Sequence, residues 1–370
     1  TPLFFLDYVA TGRMLRERVP GTVNGDGRSY TVRQYRVQVG VPSWEIDFFG
    51  RIRSLTQSAL EQYVATEQAR RGAQILLISE IATAWLTRAA DRESLALSAS
   101  TLETQQVAYR LIRRRFEAGI VSELDERQSR TRVEAARRDV ARFTEQLARD
   151  ENALALLVGG PVALDLLPES LAGIAPPPAL SPGMPSEVLL RRPDILQAES
   201  RLKAANADIG AARAAFFPRV TLTSAVGTAS GDLSGLFGSG SFAWNFTPQI
   251  TMPIFDARTW AALRVTEVER ELAVARYEGA IQEAFRDVAD ALAQNGTIED
   301  EVRAQQALVE ATEAAYRLSS LRYEKGVDIY LNVLDAQRSL YVSQQVLIAL
   351  NLIQRSNQVR LYAALGGGGD

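Results

Sequence analysis

Arg115-Phe116-Glu117-Ala118-Gly119 and Arg322-Tyr323-Glu324-Lys325-Gly326 are two versions of one segment, 207 positions apart. The same offset, kept without a gap, sets Leu124 against Leu331 and Gly159-Gly160 against Gly366-Gly367. Read backwards, it sets Tyr109-Arg110 against Tyr316-Arg317, and Phe48 with Arg51 against Phe255 with Arg258. An internal repeat of this kind predicts an architecture built twice from one unit. The absence of gaps predicts that each unit is mostly uninterrupted helix, with no loop insertions.

Each copy reads in the same order: an alternating segment, a long helical stretch, a glycine break and a second helical stretch. Residues 51–115 contain no proline and one glycine, Gly72, and are rich in Ala, Leu, Glu, Gln and Arg, all strong helix formers. Ile75, Ile78, Ile81, Ala82, Trp85 and Ala89 make a stripe at helical spacing, for which helix packing alone is the plain explanation. Such a helix is about 100 Å long, which suits a coiled coil or a helical tube better than a globular core. Residues 257–322 behave alike. The breaks at Gly119-Ile120-Val121-Ser122 and Gly326-Val327-Asp328-Ile329 are long enough only to reverse the chain. Helices are thus expected over 51–160 and 257–366, as two antiparallel hairpins with tips near 117–123 and 324–330, at the same end.

Four segments alternate with period two. Phe4, Leu6, Tyr8 and Ala10 alternate with Phe5, Asp7, Val9 and Thr11. Thr31, Arg33, Tyr35, Val37, Val39 and Val41 alternate with Tyr30, Val32, Gln34, Arg36, Gln38 and Gly40. After Pro218, Val220, Leu222, Ser224 and Val226 oppose Arg219, Thr221, Thr223 and Ala225. In the clearest, Phe242, Trp244, Phe246, Pro248, Ile250 and Met252 oppose Ala243, Asn245, Thr247, Gln249 and Thr251. One apolar face with aromatics at its end, opposite a polar face, is the pattern of a transmembrane barrel strand. A small soluble sheet would show the same alternation. Polar, glycine-rich loops lie at 20–29 and 230–241. Four strands cannot close a barrel, and open edges are not tolerated in lipid. Two hairpins at 3–46 and 216–255 must therefore combine with other copies; three chains, a homotrimer, would give a 12-stranded barrel, loops outside. Its twelve helical segments would make a hollow α-barrel. The fold class expected is a membrane α+β chain, mostly helical, with residues 161–214 as an equatorial linker and helix. The Pro-rich stretch from Leu171 to Pro185, which can be neither helix nor central strand, belongs to that linker.

Composition removes most other functions. With 41 Lys and Arg against 44 Asp and Glu, no basic surplus points to a nucleic-acid partner. The chain has no Cys and no His, which rules out Cys/His zinc sites and His-dependent nucleophile arrangements. Gly231-Asp232-Leu233-Ser234-Gly235 has its Ser misplaced for a nucleophile elbow, and no phosphate-binding glycine loop is present. No cofactor, no metal site and no enzymatic activity are expected. No apolar run is long enough for a transmembrane helix.

Four segments carry a family resemblance. They are Trp44-Glu45-Ile46-Asp47-Phe48-Phe49-Gly50-Arg51, Met184-Pro185-Ser186-Glu187-Val188-Leu189-Leu190-Arg191-Arg192-Pro193-Asp194-Ile195, Ala211-Ala212-Arg213-Ala214-Ala215-Phe216-Phe217-Pro218 and Leu334-Asp335-Ala336-Gln337-Arg338-Ser339. Together they resemble the TolC-like outer-membrane efflux proteins, in the lipoprotein branch of OprM-like channels that serves resistance-nodulation-division (RND) pumps. The resemblance spans essentially the whole chain. It implies a trimeric channel in outer-membrane lipid that extends into the periplasm, docked to a periplasmic membrane-fusion adaptor and an inner-membrane RND transporter. It also implies a lipidated N-terminal cysteine. The second copy is preceded by a helical stretch over 186–214 and the first by three residues before Phe4, so an equivalent helix and an export signal are expected upstream.

Leu331, Asp335 and Arg338 fall at i, i+4 and i+7 on one helix face. Facing the tube, a Leu ring would constrict it, and a ring of Asp335 bridged by Arg338 would attract cations. Facing solvent, the pair would be an ordinary i,i+3 contact. The resemblance implies a periplasmic gate at these residues. It also implies a hydrogen bond between Asp125 and Tyr323 that ties the hairpins shut, and a basic residue near position 328, where this chain has Asp328. Two other readings keep the helices: a conduit for type I protein secretion, and a structural coiled coil that is no channel.

Overall fold

In the computed structural model, residues 7–22, 27–174 and 186–367 are described. Phe4 to Leu6 and the run Pro176-Pro177-Pro178 to Pro185 lie outside them. The elements follow in the order β1 (Val9–Val19), β2 (Tyr30–Ile46), α1 (Arg51–Glu117), α2 (Glu123–Val158), α3 (Pro193–Ala214), β3 (Arg219–Ser230), β4 (Phe242–Thr251), α4 (Ala257–Glu324) and α5 (Tyr330–Ala364). Short 3-10 turns stand at Leu164–Leu166, Ser186–Arg191 and Leu233–Gly235.

The repeat is visible in the backbone. α1 and α4 end at Glu117 and Glu324, and α2 and α5 begin at Glu123 and Tyr330, each pair 207 positions apart. Both turns close the same way. Gly119 and Gly326 stand at φ 71° and 74°, the left-handed region open to glycine. Ile120 N–H donates to Arg115 O at 2.8 Å, and Val327 N–H to Arg322 O at 3.0 Å, so the last carbonyls of each helix are capped.

The chain forms two compact units, 1–66 with 197–277 and 67–196 with 278–370. The first holds one antiparallel sheet in the order β1-β2-β3-β4. β1 extends beyond the strand expected over 4–11: it runs Val9–Val19 and pairs with β2 from Val9↔Gly40 to Val19↔Tyr30. Alternation over 4–11 could not set where the strand ends, because Arg13, Arg16 and Arg18 put charge on both faces further on; the turn and the β2 ladder set it instead. Between Val41 and Trp44 the β2–β3 register slips, where Pro42 lacks an N–H for the ladder. α3 starts at Pro193 rather than at 186, with proline in the first helical position, where no N–H is needed.

The second unit packs two apolar clusters. Leu86, Ala89, Ala90 and Leu171 are gathered with Trp85, Ile348 and Leu352. Ile112, Tyr330, Val333 and Leu334 are gathered with Val121, Tyr316 and Tyr323 beside the two turns. Polar ties cross between its helices: Ser98 and Tyr341 hydroxyls at 2.8 Å, Tyr109 O–H to Glu126 Oε1 at 2.7 Å, and Asn357 Nδ2 to Ala291 O at 2.9 Å. Leu171 N–H donates to Glu93 Oε1 at 2.6 Å, which seats the start of the linker on α1.

Candidate functional site

The sheet separates its side chains cleanly. Trp244, Val226, Val39 and Ala10 form one row across all four strands. Phe242, Val37 and Ile250 fall on the same face, and Phe242, Trp244, Phe246 and Ile250 are 60–71% exposed. The other face carries Arg36, Gln38, Thr221, Thr223, Asn245, Thr247 and Gln249. An exposed aromatic and aliphatic face is costly in water and suits hydrocarbon. Among the described residues the outer edges of β1 and β4 have no strand partner.

At the other candidate site, the start of α5 has two faces. Tyr330, Val333, Leu334 and Gln337 are buried, and Leu331 is 40% exposed on the opposite side. Leu331 and Arg338 are exposed and Asp335 is half exposed. Asp335 Oδ1 lies 3.5 Å from Arg338 and 3.8 Å from Arg132 of α2. Arg132 was not foreseen, because it comes from the other hairpin.

Asp125 and Tyr323 are not joined within the chain. Asp125 Oδ2 accepts from the Ser122 amide at 3.1 Å and from its hydroxyl at 2.7 Å, while the Asp125 amide donates to Ser122 Oγ. This is a capping box, with the acid satisfying the free N–H at a helix start. The Tyr323 hydroxyl oxygen accepts from Arg115 Nη1 at 2.9 Å. Asp328, where the resemblance implies a base, makes its own contacts. It accepts from the Ile329 amide, from Arg322 at 3.2 Å and from Asn332. That amide, and then Arg322, hold its carboxyl below the usual range.

Two features escaped the sequence reading. Arg192 is nearly buried and donates to Ala364 O at 2.8 Å, to both carboxylate oxygens of Asp194 and to Asp287 at 3.2 Å. It joins the starts of α3, the end of α5 and the side of α4. Asp91 of α1 and Asp150 of α2 face each other as a carboxyl pair. Burial, then the Asp91 charge, pushes Asp150 up to about 7, and burial raises Asp91 as well. Arg88 opposes the shift at Asp150 and Arg142 opposes it at Asp91.

Among the described residues no group of three His, Cys, Asp or Glu side chains is placed to hold a metal ion, and no helix is long and apolar enough to cross a membrane.

Comparison with known proteins points one way. The family model described as outer membrane efflux protein matches residues 7–160 and 184–367. Outer membrane protein OprJ of Pseudomonas aeruginosa is 44% identical over 368 residues, 99% of this chain and 76% of that protein. The toluene efflux pump outer membrane protein TtgC of Pseudomonas putida is 45% identical, over 97% of this chain and 74% of that protein. The open-state outer membrane channel MtrE of Neisseria gonorrhoeae superposes with a TM-score of 0.88 at 36% identity, covering 99% of this chain and 81% of that one.

Proposed function

Because this chain belongs to the outer membrane efflux protein family, we propose from its geometry how it forms the outer-membrane exit channel of an RND-type efflux pump. The observation that carries the reading is the sheet: four strands, two open edges and an apolar outward face. In the antiparallel order β1-β2-β3-β4, the even strand count makes β1 and β4 run in opposite directions. The β4 edge of one copy therefore meets the β1 edge of the next as another antiparallel pair. Such head-to-tail contacts close into a ring, and three copies give twelve strands, enough for a barrel. The polar face then lines the lumen, and the turns 20–29 and 230–241 face outward from the cell. The chain carries solutes and performs no chemical step.

A passive tube needs a gate, and Leu331, Asp335 and Arg338 are its residues in this proposal. They lie exposed beside the turns, where a threefold copy turns each into a ring. Asp125 and Tyr323, each engaged within its own chain, are available to a tie only by exchanging those partners or across a protomer boundary. The periplasmic adaptor and inner-membrane RND transporter belong to the same proposal, as does a lipid anchor on an upstream cysteine. The test is the mass of the full-length protein, extracted from membranes in mild detergent and corrected for bound detergent. An outer-membrane trimer that conducts in planar bilayers is expected. A soluble monomer or dimer would mean the strands form an ordinary sheet, and the channel reading would fall.

A further inference from the structure

The β1–β2 hairpin ends in arginines, and the register sorts them onto faces. Arg16 stands directly opposite Arg33 and Arg18 opposite Thr31. All three arginines are exposed, and by alternation they share the face of Met14, Tyr35, Val37 and Val39. That is the apolar, lipid-facing side. Arg13 and Arg36, also opposed, point to the polar side. Arg18 donates to Ser29 Oγ at 3.3 Å. Among the described residues none of Arg16, Arg18 and Arg33 has an ion pair with a carboxylate.

The rows of this face are layered. Phe242, Thr228, Val37 and Gly12 make the last apolar row; Ser230, Tyr35 and Met14 come next, and Arg33 with Arg16 follow. β4 from Phe242 to Thr251 rises about 30 Å, or roughly 25 Å once tilted, the height of the apolar band of such barrels. Arg33 lies four residues beyond Val37, about 13 Å further along the strand. The order is hydrocarbon, then an aromatic ring, then cations at headgroup depth. Like charges directly opposed across a ladder destabilise it unless something neutralises them. Among the described residues no acidic side chain does so, and phosphate oxygens, which arginine binds through parallel N–H donors, would.

We infer that Arg16, Arg18 and Arg33 form a binding site for the phosphate groups of a phosphorylated glycolipid of the outer leaflet, on the outer wall of the barrel. The inference rests on the channel reading, which makes this face lipid-facing and this end external. Three copies place three such clusters around the trimer. Each clamps a lipid headgroup against the hairpin and relieves the Arg16–Arg33 repulsion.

The test uses the full-length trimer in detergent and native mass spectrometry. The probes are lipid A carrying two phosphates, the same lipid A with its phosphates removed, and inorganic phosphate. Expected is saturable binding of the phosphorylated lipid, at least tenfold weaker binding of the dephosphorylated one, and no displacement by millimolar phosphate. R16Q/R18Q/R33Q should weaken binding at least tenfold, and R13Q/R36Q on the lumen side should not. Equal wild-type binding of the two lipids overturns the inference without any variant. So does a triple variant that binds like wild type, or displacement by inorganic phosphate alone. A protein that forms no conducting trimer in the outer membrane defeats the channel reading itself; a conducting trimer indifferent to the arginines defeats only this inference.

Discussion

Replacing Asp150 with Asn is expected to stabilise the helical unit at pH 8 and to do little near pH 4. Asp150 is pushed up to about 7 from an ordinary 3.8, by burial and then by the Asp91 charge. A carboxyl whose folded pKa is raised costs nothing below the unfolded pKa, where both states are protonated. The cost grows as pH climbs from about 4 to 7, because the unfolded chain releases its proton first, and is constant above. The full shift corresponds to about 4 kcal/mol. Asp150 is partly exposed, and solvent screens part of the repulsion, so about 1–2 kcal/mol is the realistic gain. Asn keeps the shape and removes the charge. The assay is thermal melting of the full-length protein in detergent at pH 4, 5, 6 and 8, followed by far-UV circular dichroism. Wild type should lose stability across that range and Asp150→Asn should flatten the curve. Asp91→Asn should give a similar gain, and the double variant no further one, because either change removes the same repulsion. A variant less stable than wild type at pH 8 would refute the reasoning: Asp150 would then serve as an ionised acceptor for Arg88.

Asp335→Ala and Arg338→Ala, in the full-length chain, should raise the ion conductance of the closed channel while changing melting by less than about 1 kcal/mol, since the pair is half exposed; unchanged conductance in both sinks the gate assignment. Arg192→Met should cost about 2–3 kcal/mol, because the Ala364 carbonyl loses a buried donor while the half-exposed Asp194 and Asp287 rehydrate. Melting and limited proteolysis read that loss, and Arg192→Lys should recover part of it. Gly227→Ala should abolish trimer yield in the outer membrane, since a Cβ there would lie 2.0 Å from Val37 O, backbone that can only yield by parting β2 from β3; normal trimer on unheated gels would contradict the register.

The helices were legible because their signals are local. Ala-rich proline-free runs and the two glycine turns fix α1, α2, α4 and α5 to within a few residues. β2, β3 and β4 were legible by alternation. β1 was legible only at its start, because Val9 to Val19 carries arginines on both faces, Arg13 on one and Arg16 with Arg18 on the other. The site divided along the same line. Asp335 and Arg338 are three residues apart on one helix, so their contact was written in the spacing. The Asp125 capping box was also local, as Ser122 and Asp125 stand at the required separation, and it was overlooked. Arg132–Asp335, Arg115–Tyr323 and Arg192–Ala364 join residues far apart in the chain, and only the packing of specific helices selects them. Asp91 and Asp150 belong to the same class: neither residue is unusual until α1 and α2 lie side by side.

The energetics of α5 favour its exposed face over its packed one as the part that opens. Leu334 and Ile112 are almost wholly buried, and pulling apart such a pair costs about 2–5 kcal/mol for each large side chain. Each Asp335 contact, at 3.5 and 3.8 Å and half exposed, is worth about 0.2–1 kcal/mol. One exposed charged contact of that strength between each pair of copies, three in all, would total about 0.6–3 kcal/mol. That is enough to keep the proposed gate mostly shut and small enough for a docked partner to overcome. We propose that opening keeps each chain's own helices packed and changes only the contacts that the exposed Asp335 and Arg338 make between copies. Salt distinguishes the two parts. Screening shortens to about 3 Å at 1 M from about 10 Å at 0.1 M, so the open fraction, counted as gating events in single-channel records, should rise with ionic strength. Asp335→Ala should remove that dependence. An open fraction that ignores salt would assign the closure to the apolar ring of Leu331 alone.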